Sequence, residues 1–415
     1  MTANPAHTVS GAFEAKDLYS PDVIANPYPY YARLRDQPPQ FGLLDYPPGT
    51  IPGQDEPHPA WVILKYRDLI AGSRNHEALS SRDPMQEASA APTLMLVNHD
   101  RPRHTELRAL AQQAFTTRRV EERLRPYMTR VVAAMVDELK DGPIDFMDAV
   151  APVIPSRVMT HLIGTPEADW KKLRRWANAF MVTSDFTVEE RNQCNQELGQ
   201  YYADKVNERY EDLASGMPPP DDMMTAFIQA EHEGQTLTRD EVIRFCVTLV
   251  VAGAETTAYL LGNLIGTLVE EPRYFDMLKN DRSLIKPFIE ESIRRDGPIQ
   301  RLFRVATQDL ELGGARIRAG DWVALFFASG NRDPAVFEDP DRFILGRKNV
   351  GMQLTFSHGI HRCMGAGVAR MEATMLLNGI LDKCSAIRPG DAPMTRQRGG
   401  LLNYGLEICP IVLVS

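Results

Sequence analysis

Cysteine, histidine and glycine crowd into one short run: Phe356, Ser357, His358, Gly359, Ile360, His361, Arg362, Cys363, Met364, Gly365, Ala366, Gly367. Glycines at that density allow tight turns with exposed N–H groups and let backbone approach a flat ligand. The helical pattern that follows puts a positive helix end near Cys363, which favours a thiolate. A thiolate among N–H donors is a good soft metal ligand. A cysteine met alone is more often an inert buried thiol.

A second group interrupts a long apolar stretch: Ala252, Gly253, Ala254, Glu255, Thr256, Thr257. Glycine there leaves room for a small ligand, and an acid beside an alcohol can relay protons. The plainer reading is a helix kink with threonines bonded back to their own helix. Glu291 and Arg294 are spaced i,i+3, as are many solvated ion pairs. His104 and Arg108, four apart, present two cations on one helix face, either as a surface basic pair or as a site for carboxylates.

These groups need scaffolding. Thr238 and Glu241 form a T-x-x-E capping box, which predicts a helix of about 30 residues running to Pro272. It is apolar on nearly all sides and therefore buried, so a glycine, an acid and threonines in its middle mark function. Helical periodicity dominates from about Asp100 to Asp296. Thereafter alternation and Gly-Gly and Ala-Gly turns predict hairpins, and the final stretch after Arg398 reads as a closing hairpin. WVILKY, beginning at Trp61, reads as a strand. The fold class is mainly α with small β-sheets (α+β), in one domain over residues 1–415.

The balance of 46 basic against 55 acidic residues, net −9, argues against a protein that coats nucleic acid. Five scattered cysteines without a C-x-x-C pair suggest neither a disulfide framework nor a four-cysteine cluster, and fit a reducing compartment. No signal peptide and no membrane span are expected, so the default location is cytoplasmic.

The run from Phe356 to Gly365 resembles the haem-ligand signature F-x-x-G-x-H-x-C-x-G of the cytochrome P450 superfamily at every fixed position. The resemblance extends from about Asn26 to the C-terminus. It implies the cytochrome P450 fold, with a long central helix over haem b (iron protoporphyrin IX). Cys363 would be the proximal thiolate ligand of the iron, Phe356 would pack near it with Gly365 in the same loop, and His361 would reach a haem propionate. The second group resembles the oxygen-activation motif A-G-x-[DE]-T-[TS], which gives Thr256 the place beside dioxygen and Glu255 that of the acid. His104 and Arg108 match H-x-x-x-R, and Arg304 is the remaining propionate partner. Glu291 and Arg294 match E-x-x-R, with Arg342 as the third member of a structural network.

The activity implied is that of a haem-thiolate monooxygenase, inserting one oxygen atom of O2 into a small, mostly apolar organic substrate. A peroxide-driven peroxygenase and a non-catalytic haem sensor or carrier remain as alternatives. The chain leaves no room for a flavin domain, so electrons are expected from a ferredoxin and its reductase. That donor would dock on a basic face containing Arg101, Arg103, Arg108, Arg118, Arg119 and Arg362. The substrate pocket would draw on the loop from Arg82 to Val97, on Met181, and on Thr248, Val251, Ala252, Ile299, Leu302, Leu401 and Leu402. Arg301 would border the pocket by the same resemblance, where it either meets a carboxylate on the substrate or, as the plainer reading has it, points to solvent or to a propionate.

Overall fold

The computed structural model describes residues 14–45, 58–82, 94–116, 118, 120–181 and 186–415. The helices that matter for the site are α1 (Tyr66–Arg74), α2 (Arg103–Ala114), α3 (Val153–Ile163), α4 (Trp170–Phe180), α5 (Val188–Ala214), α6 (Met223–Gln229), α7 (Arg239–Glu270), α8 (Ile285–Arg295) and α9 (Ala366–Lys383).

Helix α7 has 32 residues, about 48 Å at 1.5 Å per residue. It starts as the sequence predicts: Thr238 Oγ1 accepts from the Glu241 N–H at 3.2 Å, and the Glu241 carboxylate accepts from the Thr238 N–H at 2.9 Å. Length and composition would let α7 cross a membrane, but most of its apolar stretch is buried inside the protein. It packs against α3, α4, α5, α8 and α9 and forms the spine of the largest hydrophobic cluster. Residues on different sides of the helix, such as Phe245 and Val247 or Leu260 and Ile265, are all buried.

Strands β1 (Gln40–Asp45), β2 (His58–Ile63), β3 (Leu79–Ser80), β4 (Leu302–Ala306) and β5 (Trp322–Leu325) form one sheet in the order β1-β2-β5-β4-β3. β5 runs parallel to β2 and antiparallel to β4, with Arg304 opposite Val323. Between β4 and β5 the predicted hairpin is present: Leu310–Leu312 pairs with Ala315–Ile317 around Gly313 and Gly314, both at positive φ.

The predicted closing hairpin is not formed. Leu406–Ile408 pairs with Thr395–Arg396, whereas Pro410–Val414 pairs with Ala386–Pro389 and with Gly142–Asp145. Only Cys409 separates the two strands, and reversing an antiparallel pair takes a loop of about two residues. The chain passes straight from one sheet to another.

Candidate active site

The cysteine loop is fixed before any ligand is considered. The Cys363 N–H donates to the Phe356 carbonyl at 2.9 Å, closing the loop on itself. Gly359 has φ +73°, and a Cβ there would stand 2.6 Å from the Ser73 carbonyl oxygen at the end of α1, so only glycine fits without backbone movement. Gly365 caps the start of α9, and its missing Cβ would stand 3.8 Å from Cys363 Sγ, in ordinary contact. Burial raises the Cys363 thiol above its usual range, opposed by the N–H groups of Gly365 and Ala366 and by the Arg108 and Arg370 guanidiniums. The sulfur faces a cavity of about 520 Å³ that reaches from this loop to α5 and α6.

Two arginines and two histidines gather at one side of that cavity. His104, Arg108, Arg304 and His361 all line it. The His104 and His361 rings lie 4.5 Å apart. His104 is 2% exposed, and its Nε2 is buried without a partner among the described residues. Burial, with Arg108 and His99 nearby, lowers the His104 pKa to about 4. Burial and the neighbouring Arg304, His104 and Arg108 hold His361 well below its usual value too. Arg304 is lowered to about 10 by burial, with Asp100 opposing. Arg108 donates to the Arg362 carbonyl at 2.8 Å, which ties α2 to the cysteine loop. The two desolvated guanidiniums call for buried anions, and the two neutral imidazoles each carry an N–H that can donate to them.

Sequence reasoning missed the support behind His361. Its Nε2 is 2.9 Å from Ser81 Oγ, and the Ser81 N–H donates to Asp100 Oδ1 at 2.8 Å. Ser80 Oγ also bonds Asp100. Asp100, four residues before His104, was visible in sequence, but nothing there linked it to Ser81.

Across the cavity, Val251, Ala252, Gly253, Thr256 and Thr257 of α7 form the opposite wall. The Thr256 hydroxyl donates to the Ala252 carbonyl at 2.6 Å, so both readings of this motif meet: the threonine is bonded back to its helix, and it faces the cavity. Its donor is engaged, which leaves the oxygen free to accept. A Cβ on Gly253 would meet Met159 Sδ of α3 at 2.4 Å, so this glycine also serves close helix packing. Glu255 is 7% exposed and is not among the cavity-lining residues. Burial pushes its carboxyl up to about 7, offset in part by Arg174 of α4.

Of the expected substrate-pocket residues, Thr248, Val251, Ala252, Ile299, Leu302 and Leu402 line the cavity, as do Met181, Arg82 and residues 94–97. Residues 83–93 lie outside those described. Thr248 contributes through more than contact: its Oγ1 accepts from the Met95 N–H at 2.8 Å and donates to the Arg244 carbonyl at 2.7 Å, pinning residues 94–97 to α7.

Two expectations are corrected. Leu401 does not line the cavity; it is fully buried in the cluster with Leu43, Ala60, Trp322 and Tyr404. Neighbouring Leu402, in the same bend of the chain, takes the cavity side. Arg301 is likewise 1% exposed and absent from the lining; its Nη2 lies 3.3 Å from Tyr19 Oη, with the guanidinium 4.4 Å from the Phe303 ring centroid. Residues unseen in sequence line the cavity instead, among them Arg191, Asn192 and Asn195 of α5, Phe227 of α6 and Phe245 of α7.

The network under the cysteine loop also needs a correction. Glu291 and Arg294 are fully buried and joined by two bonds of 2.8 Å. The third member is Arg347, whose Nε lies 3.0 Å and 3.2 Å from the two Glu291 oxygens. The Arg342 side chain is 75% exposed and pairs with Asp339. Arg342 enters through its carbonyl alone, which accepts from Arg294 and Arg347. Arg347→Leu, which strips a partner from a buried carboxylate, is expected to cost about 3–5 kcal/mol in urea unfolding. Arg342→Ala should leave the midpoint unchanged.

Comparison with known proteins fits this geometry. The family described as cytochrome P450 matches residues 171–408. The cytochrome P450 monooxygenase PikC of Streptomyces venezuelae is 34% identical over 372 residues, 88% of this chain and 85% of that protein. The chain belongs to the cytochrome P450 family. The vitamin D(3) 25-hydroxylase of Pseudonocardia autotrophica is 31% identical over 382 residues, 90% of this chain and 89% of its own length. Among solved structures, CYP109E1 from Bacillus megaterium in complex with corticosterone aligns with a TM-score of 0.81 and 27% identity, covering 95% of this chain and all of that one (100%).

As a cytochrome P450 monooxygenase the protein takes haem b as cofactor, with O2 and an organic substrate as reactants and electrons from a redox partner. The residues present fit that group. A dicarboxylate porphyrin would meet the Arg108 and Arg304 guanidiniums and the unpartnered His104 Nε2, and a sulfur approached by N–H donors suits its iron.

Proposed function

We propose that Cys363 is the thiolate ligand of haem b and that the protein oxygenates a rigid, steroid-sized, mostly apolar substrate. The observation that carries the ligand assignment is Cys363 Sγ at the floor of the cavity, with Gly365 and Ala366 N–H groups aimed at it. His104, Arg108, Arg304 and His361 hold the two propionates. Bound haem supplies the electron-transfer and dioxygen chemistry.

The chain's own residues do the rest. Phe245, Leu249, Phe227 and Met95 exclude water from the substrate space, as an apolar cavity does. Thr256 accepts a hydrogen bond in the cavity and holds a proton carrier beside the reacting oxygen. Glu255 supplies protons from behind α7. Substrate size is argued from the long apolar cavity and from relatives that hydroxylate vitamin D(3) or bind corticosterone. Steroids and secosteroids should shift the haem spectrum from low to high spin on titration. If fatty acids or small aromatics shift it and no polycyclic does, the substrate assignment falls.

A ferredoxin with its reductase is the proposed electron source, in a soluble, cytoplasmic protein of one haem domain. The basic face is smaller than the sequence suggests. Arg103 pairs with Glu106 and Glu241, Arg118 pairs with Glu122, and Arg119 lies outside the described residues. Arg362 remains exposed beside the cysteine, and Arg74 joins it through a 3.1 Å contact to His358. Reduction by an acidic ferredoxin should slow as salt rises, and Arg362→Glu should slow it further at low salt. Rates indifferent to both would exclude this docking mode.

A further inference from the structure

Arg370 occupies a position that the proposed chemistry has not used. It lies one turn into α9, and its Nη1 donates to the Ala366 carbonyl at 3.1 Å. Its Nε and Nη2 grip both oxygens of Glu290 on α8, the latter at 2.9 Å. The guanidinium carbon then sits 4.6 Å from the centre of the Phe356 ring. Phe356 is the residue whose carbonyl receives the Cys363 N–H. A cation held over an aromatic face is attracted by the ring's negative quadrupole, and the ring carries that contact to the loop of the sulfur. The side chains are 29% and 15% exposed, so the pair is only partly screened, unlike Arg118–Glu122 at 83% and 60%.

We propose that the Glu290–Arg370 pair sets the reduction potential of the haem bound at Cys363, with Arg370 favouring the reduced form and Glu290 moderating it. This rests on Cys363 as the ligand. Reduction adds one electron to the iron, with no bond made or broken and no proton taken up, so the site becomes one charge more negative. A nearby guanidinium stabilises that added charge; the carboxylate behind it subtracts from the effect. A pair that merely tied α8 to α9 would not care which of its charges was removed.

The test is a dithionite titration with redox mediators on the full-length haem protein, read by absorbance. Glu290→Gln leaves Arg370 unopposed and should move the midpoint positive. Arg370→Gln leaves the carboxylate and should move it negative, while Arg370→Lys should stay near the parent. Each shift should change the ferrous-to-ferric ratio at a fixed potential by about threefold to tenfold, tenfold being about 59 mV for one electron. Midpoints that do not move, or that move in the same direction in both variants, overturn the proposal. If Arg370→Gln fails to retain haem, an unmoved midpoint in Glu290→Gln overturns it alone. The ferrous carbonyl spectrum separates the two readings: a parent without the thiolate band refutes the Cys363 assignment, whereas an intact band with unmoved midpoints refutes only the tuning pair.

Discussion

Cys363→Ser is expected to abolish the red-shifted Soret band of the ferrous carbonyl complex and to reduce product formation to background. A serine hydroxyl stays protonated at neutral pH and is a hard, poor ligand, so the electron donation of the thiolate is lost. The other cysteines cannot substitute. Cys194, Cys246, Cys384 and Cys409 are buried in the core and none of them lines the cavity, whereas Cys363 does. Replacing any one of them by alanine should leave the band in place. A surviving band in Cys363→Ser would mean that another residue holds the iron.

Thr256→Ala should retain haem and substrate but release hydrogen peroxide in place of product. Dioxygen that receives two electrons and two protons without cleavage leaves as peroxide. In the structure the Thr256 hydroxyl donates to Ala252 and offers its lone pairs to the cavity, so the variant loses an acceptor that holds the proton carrier. Loss of one such bond, about 1.5 kcal/mol, corresponds to about tenfold in the partition between product and peroxide. The measurement is product formed per reduced nicotinamide consumed, with reductase and ferredoxin supplied. Coupling equal to the parent would move proton delivery elsewhere.

Glu255 adds a pH dependence to the same experiment. Its carboxyl titrates near 7 in the folded protein because burial favours the neutral form. The donor form is therefore present below about pH 7 and lost above it, and turnover should fall through that range. Glu255→Gln should flatten the profile at a lower rate. The linkage sign gives an independent check. The unfolded chain loses this proton near 4.5 and the folded one near 7, so folding stability falls as pH rises across that window. Glu255→Gln should therefore raise the melting temperature at pH 8 and leave it unchanged at pH 4. A parent profile flat through pH 7 would exclude Glu255 as the donor.

Some of this was fixed by local sequence. The capping box at Thr238 and Glu241 starts α7 where expected, because cap and helix form within a single turn. The loop from Phe356 to Gly365 is equally local in its closure: the bond from the Cys363 N–H to the Phe356 carbonyl spans seven residues, and Gly359 takes a positive φ within it. His104 and Arg108 reach the cavity together because four residues along a helix return to one face.

What the tertiary structure decided lies where residues distant in sequence compete for one place. Arg342 and Arg347 are both near enough in sequence to Glu291; packing buries Arg347 and leaves Arg342 in solvent. Leu401 and Leu402 are alike in chemistry, and only the path of the chain past Pro298 and Ile299 assigns one to the core and the other to the cavity. Arg301 could have faced substrate, but it turns toward Tyr19 and Phe303. Arg370 and Glu290 are 80 residues apart and meet because α8 packs on α9. Periodicity and motif report which face a residue is on; which neighbour that face meets is settled by burial of the surrounding apolar surface, which is non-directional and global.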